Sequence, residues 1–231
     1  MSVAIAYSCN DFSFIATDTL ITYRNGFQED SYDKIMQIYQ HGMGFIAGTG
    51  FFDIIEAAYD YLKKASENDI DASIKDVYRI SYTDNPNRSS DAFANILISY
   101  VTKNVPEIIF LMSNGGYGMI GHNRFFILPP LDISEENFPP DINDSLEYNY
   151  NGDFHGFLIK IGELFSHFSE NSLYVSSTIK CGLHYYFDDK SDNERRREWS
   201  CPHVSNMIEN ARTKAYIVMA YEVNNHRHYK G

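Results

Sequence analysis

Cysteine is scarce in this chain: only Cys9, Cys181 and Cys201 occur among 231 residues, and no two have CxxC spacing. They make no even-numbered disulfide framework, so a reducing compartment is expected. No apolar run approaches the roughly 18 residues that a membrane-spanning helix needs, and no charged amino-terminal region precedes an apolar stretch. The chain therefore reads as cytoplasmic, with no membrane partner. Positive charge is in deficit too. Lys and Arg number 19 against 31 Asp and Glu, for a formal net charge of −12. That balance argues against a nucleic-acid backbone or an anionic membrane as the main partner. The segment KSDNERRREWS is a local exception and reads as a solvated loop.

Other absences narrow the chemistry. The eight histidines form no HExxH and no His/Cys spacing set, so no metal or cofactor is expected. GTGFFD lacks the GxxxxGK[ST] pattern of a phosphate loop. Cys181 and His184 would face inward together at i, i+3 on one helix, where a buried cysteine is usually a small hydrophobe and not a nucleophile. At 231 residues the chain suits one domain, residues 1–231, burying roughly 70–75% of its unfolded surface.

What is present begins with short apolar strands. Ser2–Tyr7 and Phe12–Ala16 flank Cys9-Asn10-Asp11 and predict a hairpin. A looser turn at Tyr23-Arg24-Asn25-Gly26 follows. Lys34–Ile38 and Gly44–Ala47 form a second pair around Gln40-His41-Gly42. In DIIEAAYDYLKKA, residues Ile54, Ile55, Ala58, Tyr59 and Leu62 recur at helical spacing, with Asp53 as N-cap and Lys63-Lys64 in the last turn. A second helix is expected from Ala72 to about Ile80, ended by the turn formers of SYTDNPNRSSD. Phe93–Thr102 and Glu107–Met112 read as strands around Asn104-Val105-Pro106. Gly115-Gly116-Tyr117-Gly118 reads as a turn into a strand ending at Leu128. Leu131–Asp153 is acidic and Pro/Asn-rich and reads as a surface insertion. Phe157–Phe168 and Leu173–Tyr186 are expected to be helices, Ala215–Val223 the last strand, and HRHYKG a frayed tail.

The reactive chemistry concentrates in the first fifty residues. If Met1 is removed, Ser2 carries a hydroxyl and a free α-amine on one residue, a nucleophile with its own base attached. An unperturbed α-amine titrates near about 7.7–8.0, so it takes the hydroxyl proton at neutral pH without a histidine. Downstream stand Ile15-Ala16-Thr17-Asp18, then Lys34, then Gly44-Phe45-Ile46-Ala47-Gly48.

This set resembles the proteasome β-subunit and HslV branch of the N-terminal-nucleophile (Ntn) hydrolases, without a gap from Ser2 to about Gly50. Ser2 falls where the family has its terminal threonine, Asp18 closes the Ala-Ala-Asp-like turn, Lys34 matches the lysine and Gly48 the glycine strand. Serine in place of threonine keeps the hydroxyl and drops a methyl, and Leu20 stands where an arginine is common. No propeptide precedes Ser2, so exposure would depend on removing Met1 alone. The second half matches weakly: Asp188-Asp189-Lys190-Ser191 contains the family's Asp-x-x-Ser, whereas Asp153 and Gly156 occupy the place of a further supporting serine.

The resemblance implies an α+β fold, a four-layer αββα sandwich of two antiparallel sheets flanked by helices. It implies a peptidase or amidase in which Lys34 lowers the Ser2 hydroxyl pKa, Asp18 orients Lys34, and the Gly48 N–H faces the oxyanion. Thr22 and Gly50 would hold an extended peptide by strand addition. Ile21, Tyr32, Met36, Ile46 and Gly50 would line an apolar pocket beside the nucleophile, favouring cleavage after hydrophobic or aromatic residues. Asp188 and Ser191 would support the amine. It also implies a homo-oligomeric ring, a peptide or protein substrate, and an ATP-dependent unfoldase as partner. Two other readings stand beside this one: a non-catalytic assembly or binding protein that keeps Met1, and a small-molecule amidase on the same scaffold. Taken singly, Asp18 and Lys34 would be an ordinary ion pair and Gly48 and Gly50 a tight turn.

Overall fold

The computed structural model describes residues 2–23, 25–30, 32–38, 43–64, 76–77, 94–102, 105–112, 116–130, 132–133, 146–186 and 213–222. The fold is mixed α/β, with antiparallel sheets and few helices among those residues. One sheet runs β10-β1-β2-β11-β12, built from β1 (Ala4–Ser8), β2 (Phe12–Asp18), β10 (Arg124–Leu128), β11 (Thr178–Tyr186) and β12 (Thr213–Glu222). The other runs β5-β6-β7-β8-β9, from β5 (Met36–Gln37), β6 (Met43–Gly50), β7 (Ala94–Thr102), β8 (Val105–Leu111) and β9 (Tyr117–Met119). A small hairpin joins β3 (Ile21–Thr22) to β4 (Gln28–Glu29). Two helices are described along their length, α1 (Phe52–Leu62) and α2 (Phe154–Asn171).

Alternation along the strands sorts three apolar clusters. Val3, just before β1, and Ile5 and Tyr7 on it join α2 residues Phe157, Ile161, Leu164, Phe165 and Phe168 in one core. Ala4 and Ala6, one residue out of phase, pack with Ile15, Phe45, Ala47, Leu97 and Ile108 from both sheets. Ile46, Ile96 and Ile98 turn the other way, toward Ile54, Ile55, Ala58 and Leu62 of α1. Period-two side-chain direction in a strand is what splits one chain among three cores.

The hairpin of β1 and β2, the strand pair of β5 and β6, the α1 segment, β7, β8 and the last strand form close to where the sequence places them. Several expectations fail. Leu173–Tyr186 is not a helix: Thr178–Tyr186 is a strand paired with β2 and β12. Ile179, Cys181 and Leu183 face α2 while Gly182 and His184 meet Phe45 of the other sheet, the period-two alternation of a strand, which the non-alternating start of the segment, Leu173–Ser177, obscures. Cys181 and His184 consequently point to opposite faces, which removes the pairing a helix would have given them.

Asp53 is not the N-cap of α1. Phe51 holds that position with no side-chain cap bond, and Lys63 and Lys64 follow the helix as a turn. Tyr117-Gly118 lies inside β9, not in a turn, and Gly121–Asn123 carries the chain from the second sheet to the first. Asn123 accepts the positive φ that this passage needs, 59°.

The 131–153 segment is not wholly a surface excursion. Leu146, Tyr148 and Tyr150 pack against the α2 core, Glu147 bridges Arg124, and Asp153 caps α2 by accepting from the Gly156 N–H at 2.9 Å. Its residues 134–145 lie outside the described residues. So do the 40–42 turn, KSDNERRREWS, the carboxy-terminal tail and all of the 72–80 helix except Asp76 and Val77, which are helical.

Candidate active site

Three side chains from separate segments meet at the start of β1. Lys34 Nζ donates to Ser2 Oγ at 2.6 Å and to Asp18 Oδ2 at 2.8 Å. Asp18 ends β2, Lys34 lies two residues before β5, and Ser2 precedes β1 by two residues. The three are 0%, 3% and 7% exposed, so Ser2 is the member of the set that most nearly reaches solvent.

Backbone groups hold the carboxylate in place. Val3 N–H donates to Asp18 Oδ1 at 3.1 Å, while Leu20 N–H at 3.0 Å and Ser176 N–H at 3.4 Å donate to Oδ2. Every group aimed at Asp18 is an N–H donor, which suits the ionised carboxylate, since a carboxylic proton would need an acceptor. Burial pushes the Asp18 carboxyl up and the Lys34 ammonium down. Their attraction and hydrogen bond oppose both shifts. Lys34 is thereby a more acidic ammonium than an exposed lysine, bonded directly to a serine hydroxyl.

Gly48 lies on β6, and two steps along each strand beyond the Met36↔Ile46 pair come Lys34 and Gly48. A β-carbon at Gly48 would come within 2.1 Å of the Asn95 carbonyl oxygen, so close packing of β6 on β7 excludes any side chain there. Gly50 closes the same strand at φ 104°, a conformation that favours glycine.

The other expected residues fall into two groups. Ile46 is buried in the α1 core, with Met36 packed against it. Tyr32 is half-buried and sets its ring edge-on to Phe52 of α1, 5.1 Å between centroids. Ile21 and Thr22 are half-buried in the β3–β4 hairpin. Met1, Asp188 and Ser191 lie outside the described residues. Among the described residues no group of three or more His, Cys, Asp or Glu could hold a metal ion, and no helix is long and apolar enough to cross a membrane.

No protein-family model and no curated protein sequence matches the chain. Among solved structures it is similar to Anbu (ancestral beta-subunit) from Yersinia bercovieri, with a TM-score of 0.62 over 90% of this chain and 98% of that one, at 13% identity. The chain has a proteasome-like fold.

In this proteasome-like fold a second polar cluster adjoins the first, at positions that no motif marks. Ser176 Oγ donates to Asp30 Oδ2 at 2.9 Å and accepts from the Thr178 N–H at 3.0 Å. Thr19 Oγ1 makes a short hydrogen bond to Asp30 Oδ1 and lies 3.2 Å from Ser176 Oγ. Ser176 went unseen because its segment reads as part of a helix. Asp30 has no motif around it.

Proposed function

We propose that this protein is an Ntn hydrolase that cleaves peptide or amide bonds through an acyl-enzyme on Ser2, exposed by removal of Met1. The observation that supports the reading most is the 2.6 Å hydrogen bond from Lys34 Nζ to Ser2 Oγ, inside a buried ion pair with Asp18. Such a bond to a cation favours the alkoxide and orients the hydroxyl. We read the two sheets and their helices as a single four-layer αββα domain.

In this mechanism Ser2 Oγ attacks the scissile carbonyl carbon and its proton passes to the Ser2 α-amine. The Gly48 N–H receives the developing oxyanion, a donor role worth roughly 2.7–4 kcal/mol where it has been removed elsewhere. The intermediate collapses, the C–N bond breaks, and the protonated α-amine gives its proton to the departing amine. Water then attacks the ester, again with the α-amine as base, and frees Ser2. Lys34 stays protonated throughout and holds the amine neutral by charge repulsion. Thr22 and Gly50 offer backbone to an extended substrate. Met36, Ile21 and Tyr32, all half-buried, present the apolar surface that selects a hydrophobic residue before the cut, while Ile46, wholly buried, only backs it. A homo-oligomeric ring served by an ATP-dependent unfoldase would accompany this activity, and light scattering on the purified protein tests the ring.

The deciding experiment is the intact mass of the purified protein before and after incubation with a β-lactone. The expected result is a species lacking Met1 that gains one probe mass, with no gain in Ser2→Ala. Retained Met1 and an unmodified chain would overturn the hydrolase reading in favour of an assembly protein.

A further inference from the structure

We propose that Asp30 is a positioning residue of this site, one that through Ser176 and Thr19 fixes the donors around Asp18 and so the carboxylate that holds Lys34. Its consequence for turnover rests on the reading above. Its effect on Lys34 does not.

The connection is continuous. Asp30 follows β4, in the loop between the small hairpin and Lys34, and each of its oxygens takes a hydroxyl from a residue whose backbone adjoins Asp18. Thr19 is the next residue in the chain. Ser176 aims its own N–H at Asp18 Oδ2, the same oxygen that receives Lys34 Nζ. Ser176 is buried, and its Oγ is held from the other side by the Thr178 N–H, so its position is set by three bonds at once. A hydroxyl carries one proton. With Asp30 ionised, Thr19 and Ser176 both direct theirs outward to it, which leaves Ser176 Oγ free to accept from Thr178.

An uncharged acceptor would not hold two hydroxyls this way. In Asp30→Asn the amide group donates, one hydroxyl loses its acceptor, and the alternatives open to Thr19 are Ser176 Oγ at 3.2 Å and the Thr178 carbonyl oxygen at 3.4 Å. The negative charge is lost as well. Among the described residues, the charged groups bearing on Lys34 are Asp18 from β2 and Asp30 beside the hairpin; the neighbouring Asp33 is itself paired with Lys180 of β11, and the Ser2 amine would join them once Met1 is removed. Asp30 attracts the ammonium and acts against the burial that disfavours it. Because Asp30 borders solvent, its influence is smaller than that of Asp18.

The test is the titration of Lys34 followed by NMR of 13C-lysine-labelled full-length protein, with the resonance assigned by its loss in Lys34→Arg. Asp30→Asn is expected to lower the Lys34 midpoint measurably, and Asp30→Glu to restore most of it. Ser176→Ala keeps the charge and is expected to move the midpoint less than Asp30→Asn. Where β-lactone acylation of Ser2 occurs, its alkaline limb should shift down by the same amount in Asp30→Asn. A folded Asp30→Asn protein with an unchanged Lys34 midpoint overturns the proposal, and Asp30→Ser supplies a second neutral variant should the asparagine not fold. The midpoint shift without any acylation of the parent protein would keep this inference and sink the hydrolase reading. Acylation with an unmoved midpoint would do the reverse.

Discussion

Gly44 faces His184 so closely that a β-carbon on it would lie 2.5 Å from Nδ1 of the imidazole. Ser99 Oγ, which accepts from the Phe45 N–H at 2.7 Å, stands equally near that point. The two sheets therefore approach each other here through the absence of a side chain. Gly44→Ala should destabilise the protein by about 1–3 kcal/mol through overpacking. Gly48→Ala should cost more, because the obstruction there is a backbone carbonyl that cannot rotate away. Urea unfolding of the two variants ranks them, and equal stability of Gly48→Ala and the parent would contradict the packing described.

His184 is also a pH liability. Burial between the sheets pushes its imidazole down to about 4, and among the described residues its Nδ1 has no hydrogen-bond partner. The unfolded chain binds the proton near its ordinary value of about 6.5, so the proton favours unfolding. Stability is then complete above about 6.5, declines as pH falls toward 4 and levels off below, a loss of about 3 kcal/mol from this one residue. Denaturation midpoints measured between pH 7 and 4 should fall less steeply in His184→Asn.

Ser2 and Lys34 should separate catalysis from folding. Removing the Ser2 hydroxyl should abolish acylation and cost about 1.5–3 kcal/mol, the range for a hydrogen bond to a charged group. Lys34→Ala leaves Asp18 buried without its partner and should cost about 3–5 kcal/mol. Pairing Lys34→Met with Asp18→Asn should recover most of that loss, because neither charge then remains to be buried. Thermal unfolding of the four proteins checks the pattern, and additive losses in the double variant would speak against the ion pair.

Phe157 is the hub of the α2 core. Its ring lies 4.9–6.3 Å from those of Tyr7, Phe12, Phe14, Phe125, Tyr148, Tyr150 and Phe154. Phe157→Ala should cost about 3–5 kcal/mol by cavity formation, and Phe157→Leu less. If guanidinium unfolding finds the two equal, the cluster relaxes around the loss more freely than its packing implies.

Much of the fold was legible wherever one face of an element meets solvent or a turn ends it. The β1–β2 hairpin follows from Cys9-Asn10-Asp11 between apolar runs, and α1 from the spacing of Ile54, Ile55, Ala58 and Leu62. The β11 segment reads differently when taken with what precedes it. Ile179, Cys181 and Leu183 alternate with Lys180, Gly182 and His184 as a strand should, but Leu173–Ser177 carries no such alternation, and the whole stretch reads as one helix. That single misreading hid Ser176 and set Cys181 and His184 on a common face they do not share.

By itself the sequence determined the residue types and spacings of Ser2, Asp18, Lys34 and Gly48, and the short apolar strands and turns in which they stand. Tertiary structure alone decided that Lys34 touches both Ser2 and Asp18, that Ser176 and Asp30 join them, and that Gly44 must stay bare. Those contacts link residues 16, 32, 146 and 158 positions apart. Hydrogen bonds across such separations depend on which strands pair and which faces meet, and a local pattern of side chains carries no record of either.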